Sequence, residues 1–164
     1  METLVISGIV LYVFYVYIKA DKLLDHKMRK IKGDSGENIV NIELSKLGEE
    51  YKTIYDVKIG IYQIDHIVIH DNSKTIFVIE TKRWNGKIRG RKADNKWEQV
   101  LGGNSYWMNN PILQNEKHIK ALNESNKYLG YKFVNVVVFV RSESIPKLKN
   151  VVIDENLYKL ITEY

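Results

Sequence analysis

The sequence predicts an α/β domain with a central mixed β-sheet flanked by helices. Segments with helical periodicity alternate with short apolar, β-branched runs, in the order helix, strands, helix, strand, helix. Of the 164 residues, 45% are hydrophobic and 27% are charged, a balance that is typical of a folded domain and not of a disordered chain. The chain contains no cysteine, which excludes disulfides and thiolate metal sites.

The first twenty residues predict a membrane anchor. Residues 4–18 carry no charge, and a helix over 3–20 would be about 27 Å long, close to the thickness of a bilayer's hydrocarbon core. Glu2 precedes this run and no small-residue cleavage site follows it, unlike in a signal peptide. We expect a single-pass anchor at 1–20; the alternative is a core helix or strand of a soluble protein.

The stretch at 21–33 is rich in lysine and arginine, and we interpret it as a basic linker. Positive residues flank membrane helices on the cytoplasmic side. The sequence therefore predicts that the body of the chain, 34–164, faces the cytoplasm from the cell membrane.

The body begins with a predicted helix. Asp34 can cap this helix, and Glu37 follows three residues later, as in a capping box. Apolar residues then recur at helical spacing at Val40, Leu44, Leu47 and Tyr51. Strand-like runs follow at 53–59, 61–70 and 75–80, and a turn at 71–73 would join the last two as a hairpin.

The second half of the body alternates between helix and strand. A short strand is expected at 87–91, and Pro111 suits the first turn of a helix that runs to about Leu129 and is closed by Gly130. The apolar run at 133–140 is long enough only for a buried strand. A short strand at 151–153 and a helix at 155–163 complete the prediction.

Charged residues cluster where two predicted strands would meet. Asp65 interrupts one apolar strand, while Glu80 and Lys82 lie two apart at the end of the next and so share a face. If the two strands pair, Asp65 and Glu80 lie close together. Buried carboxylates are costly unless they are paired or bound to a metal, and hard oxygen ligands suit Mg²⁺ or Mn²⁺. A surface ion pair on an edge strand is the other interpretation of Glu80 and Lys82.

The order of these motifs resembles the NERD (nuclease-related) domain of the PD-(D/E)xK nuclease superfamily. The resemblance extends from about Gly33 to Val140. It rests on Gly36-Glu37, Gln63-Ile64-Asp65-His66-Ile67, Ile79-Glu80-Thr81-Lys82, Trp84-Asn85-Gly86-Lys87-Ile88, Trp97, and Asn110-Pro111 with Gln114. It implies a restriction-endonuclease-like core and a divalent-metal-dependent nuclease at 34–164, with DNA as the favoured partner.

The resemblance also implies a role for each site residue. Asp65 and Glu80 would bind Mg²⁺ or Mn²⁺, Lys82 would be the catalytic lysine, Glu37 would complete the acidic site, and Gln114 would be an auxiliary polar group. Glu37 has a competing explanation as a helix-capping residue, and Gln114 is equally consistent with an ordinary helix start. We expect packing roles for His66, Trp84 and Trp97.

A basic segment follows the proposed site. Lys87, Arg89 and Arg91 alternate, so a strand there would present one basic face to nucleic acid, with Arg83 nearby. A solvated strand face is the alternative. The sequence therefore leaves three hypotheses: a membrane-tethered nuclease, a nucleic-acid-binding module without turnover, and a membrane-anchored interaction domain.

Overall fold

A computed structural model of the chain describes residues 15–19 and 35–164. The chain divides into two compact units, Met1–Ser35 and Gly36–Tyr164. In the first unit, residues 15–19 are helical; the rest of the predicted anchor at 3–20, the linker at 21–33 and the capping residue Asp34 lie outside the described residues. Among the described residues, no helix is long and apolar enough to cross a membrane.

The second unit opens with helix α1, which is helical over 35–44. Val40 and Leu44 are buried, as the periodicity predicts. The continuation of the helix to Tyr51 is wrong, because a turn intervenes and Tyr51 N–H donates to Gly48 O at 3.0 Å. Leu47 and Tyr51 still pack against the same core as α1. The apolar spacing therefore predicted correctly which side chains pack against the core, but not that the chain stays helical.

In the described part of this unit, α1 is followed by six strands, a second helix, three more strands and a third helix. The strands are β1 Tyr51–Ile59, β2 Tyr62–His70, β3 Thr75–Lys82, β4 Gly86–Arg89, β5 Lys96–Leu101, β6 Asn104–Asn109, β7 Lys132–Phe139, β8 Ser142–Ser144 and β9 Val151–Ile153. The helices are α2 Pro111–Glu124 and α3 Leu157–Thr162, the latter preceded by a 3₁₀ turn at Asp154–Asn156.

The main sheet has five strands in the order β1-β2-β3-β7-β9. The first three form an antiparallel meander, and the predicted hairpin between β2 and β3 is confirmed. β7 pairs with β3 in parallel, and β9 with β7. The predicted α/β fold with a mixed sheet is thus confirmed, and the sheet's central strands are β3 and β7, which carry long runs of buried residues.

Helices cover both faces of the main sheet. On one face, α1 and α3 pack through Val40, Leu44, Leu157 and Ile161 onto Phe77 and its neighbours. On the other face, α2 packs through Leu122 onto the β2 and β3 isoleucines. The side chain of Glu80, on the same face as Ile76 and Val78, therefore lies between the sheet and α2, at the end of the buried strand β3.

A second, four-stranded sheet of order β6-β5-β4-β8 was not predicted. Its β5–β6 hairpin turns through Gly102 and Gly103, both at positive φ (57° and 80°), which is the geometry that favours glycine in two-residue turns. Its inner face buries Ile88 and Trp97 against Phe139 of β7. The packing role expected for Trp97 is confirmed, and Trp84 also packs against this cluster, with its ring centroid 5.6 Å from that of Phe139.

Helix α2 begins where the sequence predicts and ends five residues early. Asn110 caps it by accepting from Ile112 N–H at 2.9 Å, with Pro111 in the first turn. The helix ends at Glu124, where Ser125 Oγ donates to Leu122 O at 2.6 Å. Serine competes for backbone carbonyls in this way and so favours a helix end, which makes the predicted end at Leu129 wrong.

Candidate active site

The two strands that carry the predicted acidic residues separate at the site. The β2–β3 register runs from His70↔Thr75 to His66↔Ile79. One residue further on, Asp65 Oδ2 accepts a hydrogen bond from Thr81 N–H at 2.7 Å. The β2–β3 backbone pairing thus ends at His66 and Ile79, and beyond it a side-chain carboxylate takes the place of a backbone carbonyl, next to Glu80.

Glu80 is buried at the end of β3, with a side chain that is 3% exposed. Lys82 Nζ donates to Glu80 Oε1 at 2.6 Å and lies 6.0 Å from the centre of the Trp84 ring. The predicted pairing of Glu80 with Lys82 on one face of β3 is therefore present. The interpretation as a surface ion pair is wrong for Glu80, because its carboxylate is inside the protein.

The other oxygen of Glu80 faces His118 of α2. Glu80 Oε2 and His118 Nδ1 are 3.4 Å apart, but within residues 35–164 neither atom makes a hydrogen bond. The His118 ring also packs edge-on against Tyr62, with centroids 5.7 Å apart. Sequence reasoning missed His118, although its position four residues after Gln114 on a predicted helix would have placed both on one face.

Glu37 and Gln114 both act electrostatically on Glu80. Burial is the largest cause of the raised pKa of Glu80; among the smaller contributions, the half-buried Glu37 raises this pKa by charge repulsion and the Gln114 side chain lowers it. The fold therefore brings the five predicted residues into one neighbourhood: Asp65 from β2, Glu80 and Lys82 from β3, Glu37 from α1, and Gln114 from α2.

Helix α2 is held to the main sheet by Asn115 and to the loop before β5 by Asn110; the sequence singled out Asn110, in Asn110-Pro111, but not Asn115. Asn115 is fully buried, and its Nδ2 donates to Val78 O at 2.7 Å and to Val136 O at 3.1 Å, on adjacent parallel strands. Asn110 Nδ2 donates to Asp94 O at 2.7 Å. These bonds set the height of α2 along β3 and so place Gln114 and His118 over Glu80.

Burial dominates the electrostatics of the site. Desolvation, and then the charge of Glu80, raises the pKa of Asp65 to about 7, against the lowering effects of Thr81 N–H and Lys82. Desolvation also raises the pKa of Glu80, although Lys82 opposes this. Burial first and Lys82 second lower the pKa of His118, so its imidazole is neutral at neutral pH. Two carboxylates that resist ionisation together form a site that a cation would stabilise.

His66 lies outside this cluster, as expected. It is buried, its Nε2 is 2.7 Å from Asn41 Oδ1 of α1, and burial lowers its pKa to about 4. A neutral histidine that bridges strand and helix has a packing role.

The donor set fits a hard divalent cation. Glu80 Oε2 is a buried carboxylate oxygen that has no hydrogen-bond partner in the described part of the chain, and Asp65 is beside it. Within residues 15–19 and 35–164, no three histidine, aspartate or glutamate side chains converge on one point. Mg²⁺ commonly needs only one or two carboxylates because it retains several waters and binds substrate phosphate, so two acidic residues are sufficient.

The structure changes the predicted basic strand. β4 ends at Arg89, and only Lys87 and Arg89 share its exposed face. Arg91 lies beyond the strand, where its N–H donates to Asp94 Oδ2 at 2.8 Å. The strand to 91 is wrong because Gly90 packs onto the Trp97 indole and redirects the chain. Arg83 follows β3, with its Cβ against Gly36 of α1.

The fold and this cluster define an α/β domain with paired acidic residues and a lysine on adjacent strands. The chain belongs to the NERD (nuclease-related domain) family, whose model matches residues 32–140. It is also 34% identical over 128 residues to an uncharacterized protein of Bacillus anthracis, covering 74% of this chain and 58% of that one. The chain thus spans less than two thirds of that relative's length. No solved structure matches the chain.

Proposed function

We propose that this chain is a divalent-metal-dependent nuclease that hydrolyses phosphodiester bonds in nucleic acid, with DNA as the favoured substrate. The observation that carries the proposal is the cluster at the end of the β2–β3 pairing, where Asp65 and a partly unsatisfied Glu80 lie beside Lys82. In this proposal the main sheet with α1 and α2 is a restriction-endonuclease-like core.

Asp65 and Glu80 would hold Mg²⁺ or Mn²⁺, with Glu37 as a further acidic group from α1. When bound, such a metal polarises the phosphodiester and lowers the pKa of a bound water. The high pKa of Asp65 means that the site must release a proton when a cation binds near neutral pH, so the affinity for metal should rise with pH.

Lys82 would supply the positive charge at the reacting phosphate. Its ammonium is held at 2.6 Å by Glu80 Oε1, and its side chain remains 18% exposed, so it can reach a substrate at the strand end. A fixed ammonium there would orient the attacking water and offset the negative charge that develops in the transition state. Gln114 would keep the Glu80 carboxylate ionised and oriented.

Cations near the site would bind the nucleic-acid backbone. Lys87 and Arg89 project from the exposed face of β4. Arg83 precedes this strand in the sequence and Arg91 follows it. Arg89 also pairs with Glu98 at 3.5 Å, a surface contact that a phosphate could displace because exposed ion pairs are weak.

The proposal also places the nuclease domain on the cytoplasmic side of the cell membrane, tethered through residues 3–20. It rests on the uncharged run at 4–18 and the basic residues after it. Alkaline carbonate extraction tests the tether: the full chain should stay in the membrane pellet, and a chain lacking residues 1–20 should not.

A cleavage assay tests the enzyme. The full-length chain in a nonionic detergent should cut DNA with Mg²⁺ or Mn²⁺, and EDTA should stop the reaction. Asp65→Asn and Lys82→Ala should each abolish cutting while the circular dichroism spectrum is retained. Lys159→Ala, which changes an exposed lysine on α3, is the matched control and should cut normally.

Metal-dependent cutting that survives both site substitutions would refute the assignment of the site. Salt-sensitive binding without cleavage under any divalent metal would instead identify a nucleic-acid-binding module. If the protein neither binds nor cuts nucleic acid, the remaining hypothesis is a membrane-anchored interaction domain.

A further inference from the structure

A groove of about 800 Å³ opens beside the candidate site, between the β1–β2 turn and one flank of α2. It reaches the site at Gln114 and His118. Tyr62 lines it on the strand side, Lys117 and Lys120 line it on the helix side, and Asn109 lines it where the second sheet begins. Both lysines are exposed on α2. The groove therefore combines an aromatic ring, amides, two lysines and one carboxylate, Glu116, next to the candidate site.

The outer face of the second sheet carries a large exposed aromatic side chain. Trp107 of β6 is 63% exposed, although Trp97 of the neighbouring strand is fully buried. Trp107 lies across from Glu98, and Glu98 lies across from Arg89, so the three residues form one row on this face. Together with Arg91 and Lys96, they line a shallow depression of about 290 Å³.

The groove and the depression meet at one pair of residues. Asn109, which lines the groove, is directly across β5–β6 from Lys96, which lines the depression. Trp107 is two residues before Asn109 on β6 and so projects from the same face. A continuous surface thus leads from His118, past Asn109, to Trp107 and Arg89.

The charges along this surface favour an anion. Glu98 already accepts from Ser105 Oγ at 2.6 Å and pairs with Arg89, and Asp94 accepts from the Arg91 backbone. The exposed Glu116 also lines the groove, but Lys117 and Lys120 outnumber it there, and Arg89, Arg91 and Lys96 line the depression beside Trp107. Stacking rings and cations at intervals along a groove are the features by which proteins bind single-stranded nucleic acid.

We propose that this surface binds a single-stranded segment of the substrate, with one base stacked on Trp107 and the backbone running past Lys117 into the site. The inference rests on the proposed function for its catalytic end. A groove of this volume is in the range that holds one small ligand, about the size of a nucleotide. In a duplex the base faces are covered by their neighbours, so Trp107 would find no face to stack on.

A binding measurement in EDTA tests the inference without any cleavage. The full-length chain in nonionic detergent is titrated into a fluorescein-labelled 20-nucleotide single strand, and separately into the matching duplex, with fluorescence anisotropy as the readout. The single strand should bind about ten-fold or more tightly than the duplex. Trp107→Ala should weaken single-strand binding about ten-fold and leave duplex binding unchanged.

The matched control is Tyr106→Ala. Tyr106 is the adjacent residue on β6 and is 49% exposed, but it projects from the opposite face. This variant should bind the single strand like the wild type. Lys117→Gln should lower the slope of log K against log salt by about 0.7, as expected for one lost phosphate contact to a single strand.

Equal affinity for strand and duplex would overturn the inference, as would equal effects of Trp107→Ala and Tyr106→Ala. The outcome is separable from the proposed function. A protein that binds single strands through Trp107 but cuts nothing with Mg²⁺ would retain this inference and lose the nuclease. If the protein cuts nucleic acid with Mg²⁺ and Trp107→Ala does not change single-strand binding, the proposed nuclease function stands and this inference is refuted.

Discussion

Replacing Asp65 with asparagine should stabilise the metal-free domain at neutral and alkaline pH. The ionised carboxylate is unfavourable in the folded protein because burial and the charge of Glu80 raise its pKa to about 7, from an ordinary 3.8. Asparagine has the same shape, and its amide oxygen can still accept from Thr81 N–H. The substitution therefore removes the unfavourable charge and keeps the hydrogen bond.

The sign and size of the change in the free energy of unfolding follow from the linkage between proton binding and folding. Below about pH 3 Asp65 is protonated in both states, and the substitution should change little. Between pH 4 and 7 the unfolded chain ionises first, so the wild type loses stability as pH rises, by up to about 4 kcal/mol for a shift of about three pKa units. Asp65 is only half-buried, so water screens part of this, and we expect a gain of about 1–3 kcal/mol for Asp65→Asn above pH 7.

Urea denaturation in EDTA, repeated from pH 4 to 8.5, measures this gain. Tryptophan fluorescence reports only on the second unit, because the three tryptophans are Trp84, Trp97 and Trp107. Glu143→Gln, which neutralises an exposed carboxylate on β8, is the control and should shift the free energy of unfolding by less than about 0.5 kcal/mol at every pH.

A lower free energy of unfolding for Asp65→Asn than for the wild type at pH 8 in EDTA would contradict this prediction. A difference between the two proteins that does not shrink toward pH 4 would also contradict it. Saturating Mg²⁺ should reverse the order, because a cation that binds the ionised carboxylate stabilises the folded wild type and not the variant. If Mg²⁺ raises the midpoint of both proteins equally, Asp65 is not a metal ligand.

Two further substitutions test the framework that supports the site. Asn115→Leu should lower the free energy of unfolding by about 2–4 kcal/mol in urea denaturation, because buried carbonyls on two strands lose their donor; a loss below 1 kcal/mol would contradict this. Gly90→Ala should destabilise strongly and lower the melting temperature, because a Cβ there would overlap the Trp97 indole. Gly60→Asn is its control, since Gly60 has open space around it and a φ of 56°, which asparagine tolerates. Equal melting temperatures for the two variants would count against the close packing at Gly90.

The sequence predicted the main sheet well because its strands are encoded locally. The buried runs of β3 and β7, and the turn between β2 and β3, have patterns that a window of ten residues can recognise. The β5–β6 hairpin was missed because its outer face mixes Lys96, Glu98 and Trp107, so it shows little apolar alternation. Its Gly102-Gly103 pair was the available signal.

The candidate site was predictable in part for a similar reason. Glu80 and Lys82 are two apart on one strand, so spacing alone joins them, and the family resemblance supplied Glu37 and Gln114. His118 and Tyr62 were missed because their meeting depends on how α2 sits over the sheet, which Asn115 determines through contacts with residues 37 and 21 positions away. Local patterns carry no information about such long-range anchoring.

The bond between Asp65 and Thr81 N–H has a consequence for how this domain can evolve. A lineage that no longer needed to cut nucleic acid would still be under selection to keep aspartate or asparagine at 65, because that side chain completes the backbone hydrogen bonding where β2 and β3 part. Lys82 is also held to the fold, because its loss would leave the buried Glu80 carboxylate without its partner at 2.6 Å. Among such descendants, position 65 would be restricted to aspartate and asparagine, and aspartate itself would mark retained metal binding, because asparagine gives the more stable metal-free fold.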